Sequence, residues 1–204
     1  NLAQGFPDFA VAPELIDGVH HYMKTGLNQY APMPGVPELR VAIADKTERC
    51  YSWRPNEEGE ITVTCGAIEA INSAVSALIN AGDEVIIMDP AYDAYEPIIN
   101  LQGAKAIGVS LRQPDYSIDW EGVKAKINDR TKMIMINTPH NPSGAIISKV
   151  DLIALEEVTT GTDILVLSDE VYEHIVFDGE RHESVLRSEA LRARSIVTSS
   201  FGKT

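Results

Sequence analysis

The sequence predicts an α/β fold: a mostly parallel sheet with helices on both faces. Three observations predict it. Runs of β-forming residues recur along the chain, and several, such as Val85-Ile86-Ile87-Met88 and Met133-Ile134-Met135-Ile136, are continuously apolar, as strands covered on both faces are. Helical patterns lie between many of these runs, and alternation of strand and helix implies parallel pairing with right-handed crossovers. At 204 residues the chain is long enough to bury a substantial core, as one large domain or two small ones.

Residues 1–60 differ from the rest. They hold Pro7, Pro13, Pro32, Pro34 and Pro37, and read as an arm with a short helix over 1–30, a loop, then a helix from Pro37 to about Cys50. Strands are predicted at 61–65, 84–89, 105–111, 132–138, 164–169 and 195–201. Between the first two, 67–81 carries Ile68, Ile71, Val75, Leu78 and Ile79 on one stripe, and Gly82 is placed to end that helix. A further helix is predicted over 148–159, with Ser148 as a possible cap and Leu152, Leu155 and Glu156 at helical spacing. The sequence contains no internal repeat, low-complexity tract or evident linker.

Composition narrows the function. The chain is 44% hydrophobic and 23% charged, as ordinary globular proteins are, and its formal net charge of −13 argues against nucleic acid or anionic membrane as partner. No apolar stretch approaches the ~20 residues of a membrane helix. No signal peptide is recognisable, and a leader removed before Asn1 is left open. Cys50 and Cys65, the only cysteines, read as buried reduced thiols, which favours a cytoplasmic setting. The histidines read as surface or loop residues without metal-ligand spacing; His20 and His21 are adjacent and cannot share a helix face. No metal is expected.

The chemistry-bearing residues follow predicted strands. That is the edge where open α/β sheets bind ligands. Asp169 ends an apolar strand in Ser168-Asp169-Glu170-Val171-Tyr172. A carboxylate there needs a partner, either a cation or a protonatable ring. The ordinary alternative is a helix cap or a surface ion pair. Tyr172 could reach the same place from a tight turn, whereas Glu170 is expected to bond elsewhere. Lys203, in Ser199-Ser200-Phe201-Gly202-Lys203, adds an amine after the last strand. Gly66 joins the first predicted strand to its helix, and the N–H groups of Ala67 and Ile68 at such a helix start form an anion site. Any strand-to-helix turn also favours a glycine.

Asn137-Thr138-Pro139-His140-Asn141-Pro142-Ser143-Gly144 is stiffened by its prolines, so the amides of Asn137 and Asn141 can be held toward a ligand. A turn in which Asn141 makes only an Asx-type bond is equally compatible. Tyr92, after Asp89-Pro90-Ala91, could stack on a flat heterocycle or simply pack its loop. Gly202-Lys203-Thr204 is not the end of a P-loop, because Val197 stands where that motif requires a glycine. An acid, a phenol and an amine at one sheet edge suit a cofactor with a basic ring nitrogen, a phenolic oxygen and an aldehyde, as in pyridoxal phosphate.

Taken in order, these motifs resemble the class I and II aminotransferases, the fold-type I pyridoxal phosphate enzymes, along the whole of residues 1–204. Asn1-Leu2-Ala3-Gln4-Gly5-Phe6-Pro7-Asp8-Phe9, Asn28-Gln29-Tyr30, Ser168-Asp169-Glu170-Val171-Tyr172-Glu173-His174 and Ser199-Ser200-Phe201-Gly202-Lys203-Thr204 resemble the methionine and kynurenine (glutamine) subgroup. The resemblance implies that Lys203 binds the cofactor covalently and shuttles a proton, and that Asp169 keeps the ring nitrogen protonated. It implies that Tyr172 and Asn141 bond the phenolic oxygen, Tyr92 stacks on the ring, and Asn137 supports it. Gly66, Ala67, Ile68 and Ser200 would hold the phosphate, and Asn141 and Gly5 the substrate carboxylate. Tyr30 would reach the phosphate of a neighbouring subunit in a homodimer.

The expected activity is transfer of an amino group from a methionine, glutamine or aromatic type amino acid to a 2-oxo acid. A C–S β-lyase on the same scaffold and a non-catalytic cofactor-sensing domain are the alternatives. The resemblance also implies a phosphate-pairing base, a carboxylate-binding arginine, a final strand and a small domain after the lysine. The expectation is therefore a fragment of a protein roughly twice this length. Its arm and short helix would occupy 1–30 and a partial cofactor-binding large domain 31–204, with the small domain absent. Alone, these residues are expected to be poorly soluble and inactive.

Overall fold

Alternate side chains of a strand face opposite sides of a sheet. Here both sides are apolar: Ile86, Met88, Ile134, Ile136 and Val166 enter one core, while Val85, Ile87, Met133, Met135 and Leu167 enter another. The computed structural model describes residues 9–203. Its strands β1 (Glu84–Asp89), β2 (Lys105–Ser110), β3 (Thr131–Asn137), β4 (Leu165–Asp169) and β5 (Ser195–Thr198) form one sheet in the order β2-β1-β3-β4-β5. Every neighbouring pair is parallel.

Helices cover both faces. α3 (Ala67–Leu78) and α4 (Tyr95–Leu101) bury Ile71, Val75, Ile98 and Ile99 in the second core. α5 (Trp120–Lys126) and α6 (Lys149–Thr159) bury Val123, Leu152 and Leu155 in the first. The predicted fold class is the observed one. Ser148 caps α6 in a reciprocal capping box with Asp151, and the Trp120 indole donates to Asp151 at 2.9 Å, which ties α5 to α6. α7 (Glu189–Arg192) leads into β5.

Outside the sheet lie α1 (Pro13–Lys24) and α2 (Pro37–Tyr51). α2 buries Arg40, Ala44, Thr47 and Tyr51, whereas α1 buries no residue and exposes Leu15, Ile16, Val19 and Met23. Among the described residues, no helix is long and apolar enough to cross a membrane.

The structure corrects three element boundaries. Residues 61–65 are not a strand: Ile61 is buried, but the backbone bond Val63 makes is to the Pro34 carbonyl in a loop, at 2.9 Å. A β-rich run becomes a strand only with a partner beside it, and none is present among the described residues. The helix predicted over 67–81 ends at Leu78, because Ile79 is already extended; Gly82, at φ +91°, then turns the chain into β1. The last strand stops at Thr198 rather than at residue 201, since Ser199 and Ser200 turn their hydroxyls to Glu173 and the Gly202 amide.

Candidate active site

In a parallel sheet the loops that follow the strands share one rim. Tyr92 follows β1, Asn137 closes β3 with Asn141 just beyond, Asp169 closes β4 with Tyr172 in the next turn, and Ser200 and Lys203 follow β5. The register sets Asn137 opposite Asp169, and Asp169 opposite Thr198, so these strand ends are level. α3 enters the start of β1 through 79–83. A helix of this length, about 18 Å, running back along the sheet would bring its N-terminus toward the same rim. Gly66 stands at that N-terminus.

Asp169 is the centre of this arrangement, 6% exposed. The Tyr95 hydroxyl donates to its Oδ2 at 2.6 Å, and the Val171 N–H to its Oδ1 at 3.2 Å. Burial raises its pKa above the ordinary carboxylate value; the two hydrogen bonds lower it without cancelling that effect. Sequence reasoning expected a cation or ring beside Asp169, and the partner found within the described chain is a phenol. Tyr95 was missed. The available signal was its place in Tyr92-Asp93-Ala94-Tyr95, at the start of a short helix that would bring it alongside Tyr92.

The two tyrosines meet edge to face, with ring centroids 5.6 Å apart and planes at 74°. Burial, then the proximity of Asp93, Tyr172 and Asp169, raises the Tyr92 pKa. Asn137 clamps two segments: its amide nitrogen donates to the Asp169 carbonyl at 2.9 Å, and its amide oxygen accepts from the Asn141 N–H at 2.6 Å. That leaves the half-buried Asn141 held by its backbone. A cavity of about 270 Å³ lies beside Asn137 and His140, lined also by Met88, Leu111, Tyr116 and Ile147. Asp169, Tyr172 and Lys203 do not line it.

Gly66 precedes α3 at φ +97° and ψ 167°, a conformation almost reserved for glycine. A Cβ there would meet nothing within 4 Å, so the backbone angle rather than crowding requires the glycine. No side chain caps α3, so its first amides, those of Ala67 and Ile68, have no capping side chain. Ser200 accepts from the Gly202 N–H at 3.0 Å within an exposed loop that carries Lys203. Tyr30 is fully exposed, and Gly5 lies outside the described residues.

Cys65 is exposed rather than buried, and Cys50 half-buried; both are free thiols. His140 and His182 lie in loops, as expected, but are buried: His140 Nδ1 pairs with the Ser143 hydroxyl at 2.7 Å, and His182 Nε2 with Glu170 at 2.8 Å. Burial lowers the His140 pKa. Glu170, expected to bond elsewhere, also accepts from Ser168 and Ser184. Among the described residues, no group of three or more His, Cys, Asp or Glu side chains could hold a metal.

A mostly parallel sheet with an acid, phenols, an asparagine clamp and a lysine on one rim defines a class, and comparison with known proteins identifies it. The family model for aminotransferase class I and II matches residues 1–204, and the chain belongs to that family. It is 48% identical over 204 residues to the methionine aminotransferase of Escherichia coli, covering 100% of this chain and 53% of that protein. It is 34% identical over 215 residues to human kynurenine–oxoglutarate transaminase 3, covering 100% of this chain and 47% of that one. An Escherichia coli crystal structure described as having a methionine aminotransferase function superposes with TM-score 0.97 at 47% identity, over 100% of this chain and 54% of that one. The chain spans about half the length of the curated relatives it matches.

Proposed function

We propose that this chain forms the cofactor-binding part of a pyridoxal phosphate-dependent aminotransferase. The observation that carries the reading is Asp169: a buried acid, held by Tyr95 and Val171, on a rim shared with Tyr92, Tyr172, Asn141 and Lys203. The donor set fits the cofactor. A carboxylate that keeps acceptor capacity beside a phenol cluster suits a ring N–H. An uncapped helix start behind Gly66 suits a phosphate. When bound, the cofactor supplies an electron sink for the substrate α-carbon.

Each residue then has a task. Asp169 would accept a hydrogen bond from the ring nitrogen and so favour its protonated form. Tyr172 and Asn141 would donate to the phenolic oxygen and Tyr92 would cover the ring, while Asn137 keeps the Asn141 backbone and the end of β4 in register. The Ala67 and Ile68 amides with the Ser200 hydroxyl take the phosphate. Lys203 would hold the cofactor through its amine, and that amine would move the proton at the substrate α-carbon. Asn141 and Gly5 seat the substrate carboxylate, and Tyr30 reaches the phosphate across a homodimer interface. α1 would precede a cofactor domain over residues 31–204 in a cytoplasmic protein that also carries a small domain.

Methionine, glutamine and aromatic amino acids are the proposed donors and a 2-oxo acid the acceptor, in alternating half-reactions. The likeness to the methionine and kynurenine enzymes supports this choice. The test is to incubate the intact protein with pyridoxal phosphate, methionine and a 2-oxo acid, and to measure the new amino acid. Its formation supports transamination. Pyruvate and ammonia released from a cysteine conjugate, without amino transfer, would support the C–S lyase instead; cofactor uptake with neither reaction would support a sensing domain.

A further inference from the structure

Glu173 has no task in the mechanism above, yet it is 4% exposed and accepts from three side chains. Lys46 and Tyr51, both on α2, donate to its Oε2, and the Ser199 hydroxyl donates to its Oε1 at 2.5 Å. A buried carboxylate with three donors is unlike a solvated surface charge, and charge-assisted bonds of this kind are the strong ones. Burial opposes its ionisation, but the bonds from Lys46, Ser199 and Tyr51 outweigh that and hold its pKa below the ordinary value. α2 is itself fixed at this end: Arg187 donates to the Cys50 carbonyl at 2.9 Å and sits 5.3 Å over the Tyr51 ring. On the other side, the Glu173 N–H closes the turn that carries Tyr172 by donating to the Glu170 carbonyl at 2.9 Å.

The Lys203 loop needs such an anchor. β5 ends at Thr198, whose carbonyl accepts from the Glu170 N–H at 2.8 Å. Beyond it, the Ser200–Gly202 bond is internal to the loop. Among the described residues, the Ser199–Glu173 hydrogen bond is the one that joins 199–203 to the rest of the protein. We infer that Glu173 is a positioning residue, which holds Ser200 and Lys203 at the rim through Ser199 and ties their loop to the Tyr172 turn and to α2. The inference rests on the cofactor reading above. It adds a residue that touches neither cofactor nor substrate.

The test uses Ser199→Ala, which removes the link and leaves Glu173 paired with Lys46 and Tyr51. In the intact protein, pyridoxal phosphate affinity is measured by titration, and the melting temperature by heating the cofactor-free form. Ser199→Ala is expected to weaken cofactor retention roughly tenfold, as loss of an outer-shell partner does at metal centres. Its cofactor-free melting temperature should stay near that of the wild type, and Ser199→Thr, which keeps the hydroxyl, should restore affinity. Glu173→Gln should weaken binding at least as much, and adding Ser199→Ala to it should cost little more, because the two residues act through one bond. Wild-type affinity in Ser199→Ala, or a loss matched by an equal fall in cofactor-free melting temperature, overturns the positioning role alone. Failure of the wild type to take up cofactor overturns the underlying reading and this inference with it.

Discussion

The Tyr95 hydroxyl and the Asp169 carboxylate meet at 2.6 Å, both buried, across 74 residues of sequence. The contact joins the start of α4, beyond β1, to the end of β4, although β3 lies between the two strands. It fixes one carboxylate oxygen while the Val171 amide fixes the other. The acid is thereby held in one orientation by the protein's own groups, which is the geometry a preorganised charge requires.

Tyr95→Phe should keep the ring packing against Tyr92 and lose only the hydroxyl. Because that bond lowers the Asp169 pKa against burial, its loss should raise the pKa further and weaken pyridoxal phosphate binding. A bond to a charged group is worth about 1.5–3 kcal/mol, so a loss of roughly 10–100-fold is expected in a cofactor titration. Unchanged affinity would mean that Tyr95 does not position the acid.

Asp169 also sets a pH dependence. Its folded pKa is raised, so between its ordinary and raised values the folded protein binds more protons than the unfolded one. This group's contribution to stability is therefore lost as pH rises through that window. Asp169→Asn should remove that decline in the cofactor-free protein and leave it at least as stable at neutral pH, while abolishing tight cofactor binding. Urea midpoints of both proteins across the acid range check the sign. A steeper decline in the variant would contradict it.

Gly66→Ala places a side chain at φ +97°, where the space is open but the backbone is strained. The expected cost is about 1–3 kcal/mol in chemical denaturation, with weaker cofactor binding, since a methyl would also stand beside the first amides of α3. A destabilisation well below that range would show that the turn relaxes.

His182→Leu tests the buried network behind the rim. Glu170, 1% exposed, would keep Ser168 and Ser184 but lose one partner, and a buried polar group left unsatisfied costs about 1–3 kcal/mol. Urea denaturation should show that loss; a neutral substitution would mean that Glu170 finds another donor.

Legibility in the sequence followed the range of the interactions. β1, β3 and β4 were readable to within a residue because a strand buried on both faces is a continuous apolar run. α6 was readable from Ser148 and its periodic leucines. Residues 61–65 carry the same β-rich signature without a strand beside them, and pairing cannot be read from a single segment. Asp169, Tyr172, Asn141 and Lys203 stood out because polar groups ending apolar strands are conspicuous. Tyr95, Glu173 and His182 did not, since their partners are distant in sequence and their local contexts resemble ordinary loop or helix residues.

The central claim is that Lys203 holds the cofactor. It is tested most directly by reducing the cofactor-loaded intact protein with borohydride, digesting it and mapping the labelled peptide. The account predicts pyridoxyl label on Lys203 alone. Label on Lys132 or Lys149 instead, or none in a protein that had taken up pyridoxal phosphate, would contradict it.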